Sequence, residues 1–145
     1  MTVGLYKEVQ FDASHRLIHY KGKCANLHGH RWKAEVWMEG EPDTTTGILI
    51  DYNAIRQIID RFDHQILLNE ADPLVSCIKE YQQVITTPGE PTSELLAVLI
   101  RDELDAYCRA QKISASVIKI RIWESPGCFA ELRAPRSVGT IPHED

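Results

Sequence analysis

Apolar and polar positions alternate from the start of the chain. Val3, Leu5, Val9 and Phe11 share one parity, while Tyr6, Glu8 and Gln10 take the other. A period of two predicts a half-buried strand. His15 continues the apolar parity just past the expected strand end. The alternation is clearest from His28 onward. His28, His30, Trp32, Ala34, Val36 and Met38 share one parity, against Gly29, Arg31, Lys33, Glu35, Trp37 and Glu39. Successive strand side chains point to opposite faces, so both histidines should point with the apolar set. The turn-rich "EGEPDTTTG" then closes a hairpin, and "ILIDY" reads as a short strand pairing back.

The period changes after Asn53. Ile55, Ile58, Ile59 and Phe62 recur at helical spacing, predicting a short amphipathic helix that ends near Asp63 and His64. A second short helix is expected around residues 74–81, followed by an irregular or extended piece. A longer helix starts after Pro91 with Thr92 as its N-cap, burying Leu96, Leu99, Ile100, Leu104, Tyr107 and Cys108. Two strands finish the pattern. Ile118, Ile120, Ile122 and Glu124 share one face of the first; Cys128, Ala130 and Leu132 alternate with Phe129, Glu131 and Arg133 in the second. The expected class is α+β: a four-stranded antiparallel sheet with two main helices on one face.

Composition narrows the function classes. A chain of 145 residues suits one domain, expected over residues 1–145, with a real core. The net charge of −5 argues against a general nucleic-acid binder, although a local cationic cluster can still hold a small anion. No stretch approaches the roughly 18 apolar residues of a membrane span. Cys24, Cys77, Cys108 and Cys128 are scattered without a CxxC pair, the pattern of a cytoplasmic chain with reduced thiols.

The candidate chemistry begins with His28 and His30, an H-x-H pair on one strand face. Neighbours i and i+2 on a strand can share a tetrahedral ion, and His15 can supply a third nitrogen. Three His ligands leave an open position, the arrangement of a catalytic zinc; satisfied core histidines are the alternative. Cys24 is open to three readings: a fourth ligand closing a structural site, a thiolate doing chemistry beside the metal, or, less favoured, an inert loop thiol. Asp63 beside His64 suits a proton shuttle, since a carboxylate sets an imidazole's tautomer; a histidine favoured at a helix C-terminus is the plainer account. Glu124 ends an apolar stripe and needs a partner. That partner is either solvent or a ligand with two N–H donors, such as a guanine-like or pterin ring. Glu94 also fits the common preference for acids in a first helical turn.

Together "FDASHRL", "CANLHGH", "GILIDY", "FDHQILLN", "PTSELLA" and "WES" occur in an order that resembles the 6-pyruvoyl-tetrahydropterin synthase and 6-carboxytetrahydropterin synthase family, from Val9 to about Arg133. The resemblance implies a T-fold (tunnelling fold) whose subunits assemble into a barrel, a homo-oligomer of two stacked trimers making a hexamer. It implies Zn²⁺ on His15, His28 and His30, with Cys24 as the catalytic thiol and Asp63 and His64 as a second proton-transfer pair. Glu124 matches the carboxylate that anchors the pterin; Thr92, Ser93 and Glu94 match a segment bordering its pocket. The implied partner is a small-molecule substrate, 7,8-dihydroneopterin triphosphate. Three residues separate Cys24 from the His-Gly-His triplet, which looks like the carboxy branch leading to 7-deazaguanines and queuosine. Two departures stand out: Leu95 replaces an expected amide, and the segment at about 69–91 is longer than in compact relatives. Arg16, Lys21, Lys23 and Arg31 are the candidates for triphosphate contacts.

Overall fold

The computed structural model describes residues 1–135; residues 136–145 of the expected domain lie outside the described residues. The alternating segments form two long strands, β1 (Val3–His15) and β2 (His28–Gly40). They pair antiparallel in continuous register, from Val3 opposite Gly40 to His15 opposite His28. His15 is thus the last residue of β1 rather than a residue beyond it. Val9, Phe11, Ala13 and His15 are buried on one face of β1, and Trp32, Ala34, Val36 and Met38 on the same face of β2.

Helix α1 (Tyr52–Asp60) begins where the Asp51 carboxylate accepts from the Asn53 amide, and it buries Ala54, Ile55 and Ile59. Helix α3 (Ser93–Gln111) is capped by Thr92, whose hydroxyl accepts from Leu95 N, and it buries Leu96, Ala97, Ile100, Leu104 and Cys108. Both helices lie on the apolar face, α1 against β1 and α3 across strands β5 (Ala115–Ser125) and β6 (Cys128–Arg133). Each fully buried Leu or Ile contributes about 1.5–3 kcal/mol, so this face supplies the principal stabilisation.

The sheet departs from expectation in number and direction. Among the described residues it has six strands, in the order β4-β3-β1-β2-β5-β6, rather than four. The two additional strands, β3 (Gln65–Asn69) and β4 (Ile85–Thr87), flank helix α2 (Leu74–Lys79). β3 runs parallel to β1 and β4 parallel to β3, so the sheet is mixed. The reason is local. "QILLN" is too short to show a period, and its inner residues Leu67, Leu68 and Asn69 are all buried, so no alternation marks it. The "ILIDY" stretch forms no strand; Leu49 and Ile50 are buried as part of the loop leading into α1.

A bulge corrects the parity of β5. Trp37 pairs with Lys119 and Met38 with Val117, leaving Ile118 unopposed. Val117 therefore turns inward, and Ile118 is 38% exposed instead of sharing the face of Ile120 and Ile122. Beyond this bulge the chain passes close to Gly40. A Cβ on Gly40 would lie 1.7 Å from the Ser114 carbonyl oxygen, so only glycine fits there.

Candidate metal centre

The β1–β2 ladder sets His15 opposite His28 and Ala13 opposite His30, so the three imidazoles meet at the looped end of the hairpin. Their ring centroids are 4.7 Å apart for His15 and His28, 4.8 Å for His28 and His30, and 5.2 Å for His15 and His30. Trp32, fully buried, forms the floor under His15 and His30, and its indole N–H donates to the Ala13 carbonyl at 3.1 Å. Near the end of β5, Glu124 reaches in from the side. One donor atom from each of His15, His28, His30 and Glu124 lies within 4.8 Å of all the others.

Neighbouring carbonyls set two of the tautomers. His15 Nδ1–H donates to the Pro91 carbonyl at 2.7 Å, just before α3, and His28 Nδ1–H donates to the Asn26 carbonyl at 2.6 Å. A carbonyl only accepts, so each Nδ1 carries the proton and each Nε2 keeps its lone pair. Burial, the main cause, holds His15 and His30 below the ordinary imidazole pKa, which keeps both neutral near pH 7.

Among the described residues, the Nε2 atoms of His15 and His30 are buried without a hydrogen-bond partner. Glu124 Oε1 lies 3.2 Å from the first and 3.1 Å from the second, but without hydrogen-bond alignment. For His15, whose proton sits on Nδ1, this sets a lone pair against a carboxylate. A cation between them removes the conflict. The residues present fit a divalent metal with nitrogen ligands, and Glu124 joins the group that could hold it.

Cys24 lies on a short 3-10 turn (Lys23–Ala25) in the loop between β1 and β2, half-buried, and its thiol is not part of the four-residue group. Spacing leaves these readings open; the geometry sets the thiol apart from the four donor residues.

Asp63 and His64 do meet. His64 Nδ1 lies 2.9 Å from Asp63 Oδ2, with the imidazole largely exposed. The other oxygen, Oδ1, accepts from the Asp12 amide at 2.8 Å, which, with His64, holds this carboxyl below the usual carboxylate range. His64 adopts φ 59, and its own amide donates to the Asp12 carbonyl at 2.6 Å, anchoring the dyad to β1.

Thr92, Ser93 and Glu94 form the start of α3. Thr92 caps it, and Ser93 Oγ–H donates to Glu94 at 3.4 Å. Their contact with the centre runs through the preceding carbonyl, that of Pro91. Of the cationic candidates, Arg16 is engaged by Asp72 through both oxygens, Arg31 pairs with Asp12 at 3.0 Å, and Lys21 and Lys23 are exposed.

A cavity of about 490 Å³ opens beside the centre, lined by His30, Glu124, Gln10, Arg31, Lys33 and Trp123 among others. Gln10, Lys33 and Trp123 were not anticipated. They lie on the polar parity of their strands, and only the pairing of Lys33 with Trp123 and with Gln10 brings them together. The carbonyls of Pro91 and Asn26 were also missed, because a backbone group leaves no mark in a side-chain pattern.

The profile of the 6-pyruvoyl tetrahydropterin synthase family matches residues 4–135. A 6-carboxy-5,6,7,8-tetrahydropterin synthase of Rickettsia bellii is 29% identical over 135 residues, covering 87% of this chain and 96% of that protein. A putative 6-carboxy-5,6,7,8-tetrahydropterin synthase of Pyrococcus abyssi is 30% identical over 145 residues, covering 88% of each. Among solved structures, the 6-pyruvoyl tetrahydropterin synthase of Caenorhabditis elegans superposes with a TM-score of 0.62 at 25% identity, covering 93% of this chain and 97% of that one. An uncharacterized protein of Wolinella succinogenes, at 19% identity and a TM-score of 0.75, shares the fold over 93% of this chain and 99% of its own. With nearly its whole described length matched, and a histidine cluster at the end of the matched hairpin, the chain belongs to the 6-pyruvoyl tetrahydropterin synthase family.

Proposed function

We infer that the protein is a zinc-dependent 6-carboxy-5,6,7,8-tetrahydropterin synthase. It converts 7,8-dihydroneopterin triphosphate and water to 6-carboxytetrahydropterin, acetaldehyde and triphosphate, in the synthesis of 7-deazaguanines and queuosine. The observation that carries this reading is the convergence of His15, His28, His30 and Glu124 with the Cys24 thiol outside the group. The names borne by the curated relatives support the carboxy branch. So does the three-residue interval between Cys24 and His28.

The three imidazoles would hold the metal through Nε2. When bound, Zn²⁺ supplies Lewis acidity that makes substrate hydroxyl and adjacent C–H protons more acidic. Cys24, as thiolate, is the base that takes a carbon-bound proton. Asp63 holds the His64 tautomer, so that His64 Nε2 can carry protons to and from substrate. Once the histidines hold the cation, Glu124 is free to accept from the two N–H donors of a pterin ring. The family resemblance would set Thr92, Ser93 and Glu94 near the bound pterin, although none of them lines the cavity beside the centre; Thr92 also fixes the helix that follows the Pro91 carbonyl bound by His15. The enzyme is a cytoplasmic homo-oligomer, a hexamer of two stacked trimers forming the T-fold barrel. It engages neither nucleic acid nor membrane; among the described residues no helix is long and apolar enough to cross one.

Incubating metal-loaded protein with 7,8-dihydroneopterin triphosphate tests this directly. Release of triphosphate together with acetaldehyde is expected. Triphosphate without acetaldehyde would assign the pyruvoyl branch, and no triphosphate release would overturn the enzymatic reading in favour of a pterin- or purine-binding protein.

A further inference from the structure

The loop that carries Cys24 leaves the metal-bearing strand at His15 and returns at His28, so its two ends are fixed while its middle must be held by something else. Inside the loop there are few bonds. Leu17 N donates to the Cys24 carbonyl at 2.9 Å, and two further amide bonds, Ala25 to Gly22 and Asn26 to Lys23, close the turn. The Asn26 carbonyl also accepts from His28 at the start of β2, and the remaining side-chain anchors among the described residues come from the segment between β3 and α3. The Asp72 carboxylate, with its side chain fully buried, takes the Arg16 guanidinium in a two-oxygen grip. Asp72 is fixed in turn by accepting from the Leu74 amide at 2.8 Å, at the start of α2. Further along, Glu90 Oε2 accepts from the His19 amide at 3.2 Å, while its Oε1 accepts from the buried Asn69 side chain at 2.9 Å. One acid thus grips the loop one residue after the metal-bearing His15, and a second grips it three residues later.

We propose that Asp72 and Glu90 are positioning residues, a two-point clamp through Arg16 and the His19 amide that fixes where the Cys24 thiol stands relative to the metal centre. The role assigned to Cys24 rests on the function proposed above; the clamp itself does not. A bidentate guanidinium–carboxylate pair restrains both distance and angle, which a single long surface contact cannot do. Buried, it also resists screening by salt. The polar load on this segment is otherwise hard to account for. Asp72 and Asn69 are both nine-tenths or more buried, and each spends its side chain on this network. Neither belongs to the ligand group.

The chain contains its own reference thiol for a test. Cys128, on β6 at the opposite edge of the sheet from β3 and β4, is exposed and takes no part in this network, so its alkylation serves as the internal reference. Metal-loaded wild type, Asp72→Asn, Arg16→Lys and Glu103→Gln would be treated briefly with iodoacetamide. The Cys24-to-Cys128 alkylation ratio would be read by peptide mass spectrometry, alongside metal content and steady-state kinetics. Glu103→Gln removes a different ion pair, that with Arg61, and controls for a general loss of stability.

The clamp predicts an alkylation ratio changed by about fivefold or more in Asp72→Asn, because loosening the loop raises its local opening. Arg16→Lys, which retains the charge but not the fork, should fall between Asp72→Asn and wild type. Metal content should be retained, with kcat down by about tenfold and KM within about twofold, the signature of a misplaced reacting group. Glu103→Gln should match wild type in both readouts. An unchanged ratio in Asp72→Asn and Arg16→Lys overturns the clamp, as does an equal change in Glu103→Gln. Should Asp72→Asn not fold, Arg16→Lys decides alone. A wild type that releases no triphosphate removes the proposed function, yet leaves the alkylation ratio to decide the clamp.

Discussion

The β1–β2 hairpin and the long loop that joins its two strands are held by different physics. In the hairpin, thirteen consecutive residue pairs run from Val3–Gly40 to His15–His28, so each side chain's place follows from its number. A slip of one residue would turn every buried side chain outward, including Phe11 and Trp32, and this cost locks the register. The loop, from Arg16 to Leu27, has no such ladder. It is placed by a few point contacts, including Arg16 with Asp72, the His19 amide with Glu90, the Leu17 amide with the Cys24 carbonyl, and the Asn26 carbonyl with His28. The lesson is a division of labour. The three imidazoles able to converge on one ion sit on the ladder, whereas the thiol sits on the loop.

The largest expected effect separates these two regions at the metal. His28→Ala should lower bound metal sharply and abolish turnover, because one of three ladder-held nitrogens is gone. Cys24→Ala should keep its metal, measured by elemental analysis, while turnover falls by about a hundredfold or more. Parallel loss of metal in Cys24→Ala would break the distinction and make the thiol a ligand.

The ladder itself is tested on β5, where the bulge reverses parity. Ile120→Ala, at a fully buried position, should cost about 3 kcal/mol in denaturant unfolding, whereas Ile118→Ala should cost less than about 1 kcal/mol. Equal costs would mean that the bulge is not where Ile118 stands unopposed.

Point contacts should be sensitive to acid in a way that the ladder is not. The Arg16 guanidinium, the main cause, holds the Asp72 carboxyl below the usual carboxylate range. Such a depressed group stabilises the fold above its unfolded pKa of about 4, and that contribution is lost as pH falls through the lower folded value. Asp72→Asn should therefore lower stability by about 2 kcal/mol from pH 5 to 8, with the gap to wild type closing below about pH 4. Thermal melts across that range check both the sign and the window.

The smallest effect is expected at the dyad, which combines both kinds of support. Asp63→Asn keeps a side chain able to accept from the Asp12 amide but loses the charge that steadies His64. Turnover should drop by about tenfold with little change in melting temperature. A large loss of stability instead would make Asp63 a structural tie between β1 and the turn before β3.

Much of this was readable in advance where side chains follow a period. The strands around Phe11 and Trp32, the Thr92 cap, the inward His28 and His30, and the family resemblance all rest on residue types at fixed spacings. Legibility failed where burial is complete or the register breaks. Leu67, Leu68 and Asn69 are buried without alternation, so β3 and its parallel pairing left no pattern. Ile118 kept the right parity on paper, but one unopposed residue turned it outward. Glu124 was recognised as an acid in need of a partner; that it sits within reach of all three histidines was not.

The sequence by itself determined the hairpin, the helical stripes and the set of residues able to bind metal, because local periodicity and side-chain chemistry are properties of neighbours along the chain. Only the tertiary structure decided which lone pairs are left free, through the Pro91 and Asn26 carbonyls, and how the Cys24 loop is tethered by Asp72 and Glu90. Those contacts join residues up to 76 positions apart, as for His15 and Pro91. Two of them use backbone oxygens, which every residue carries, so no pattern of side chains can announce them.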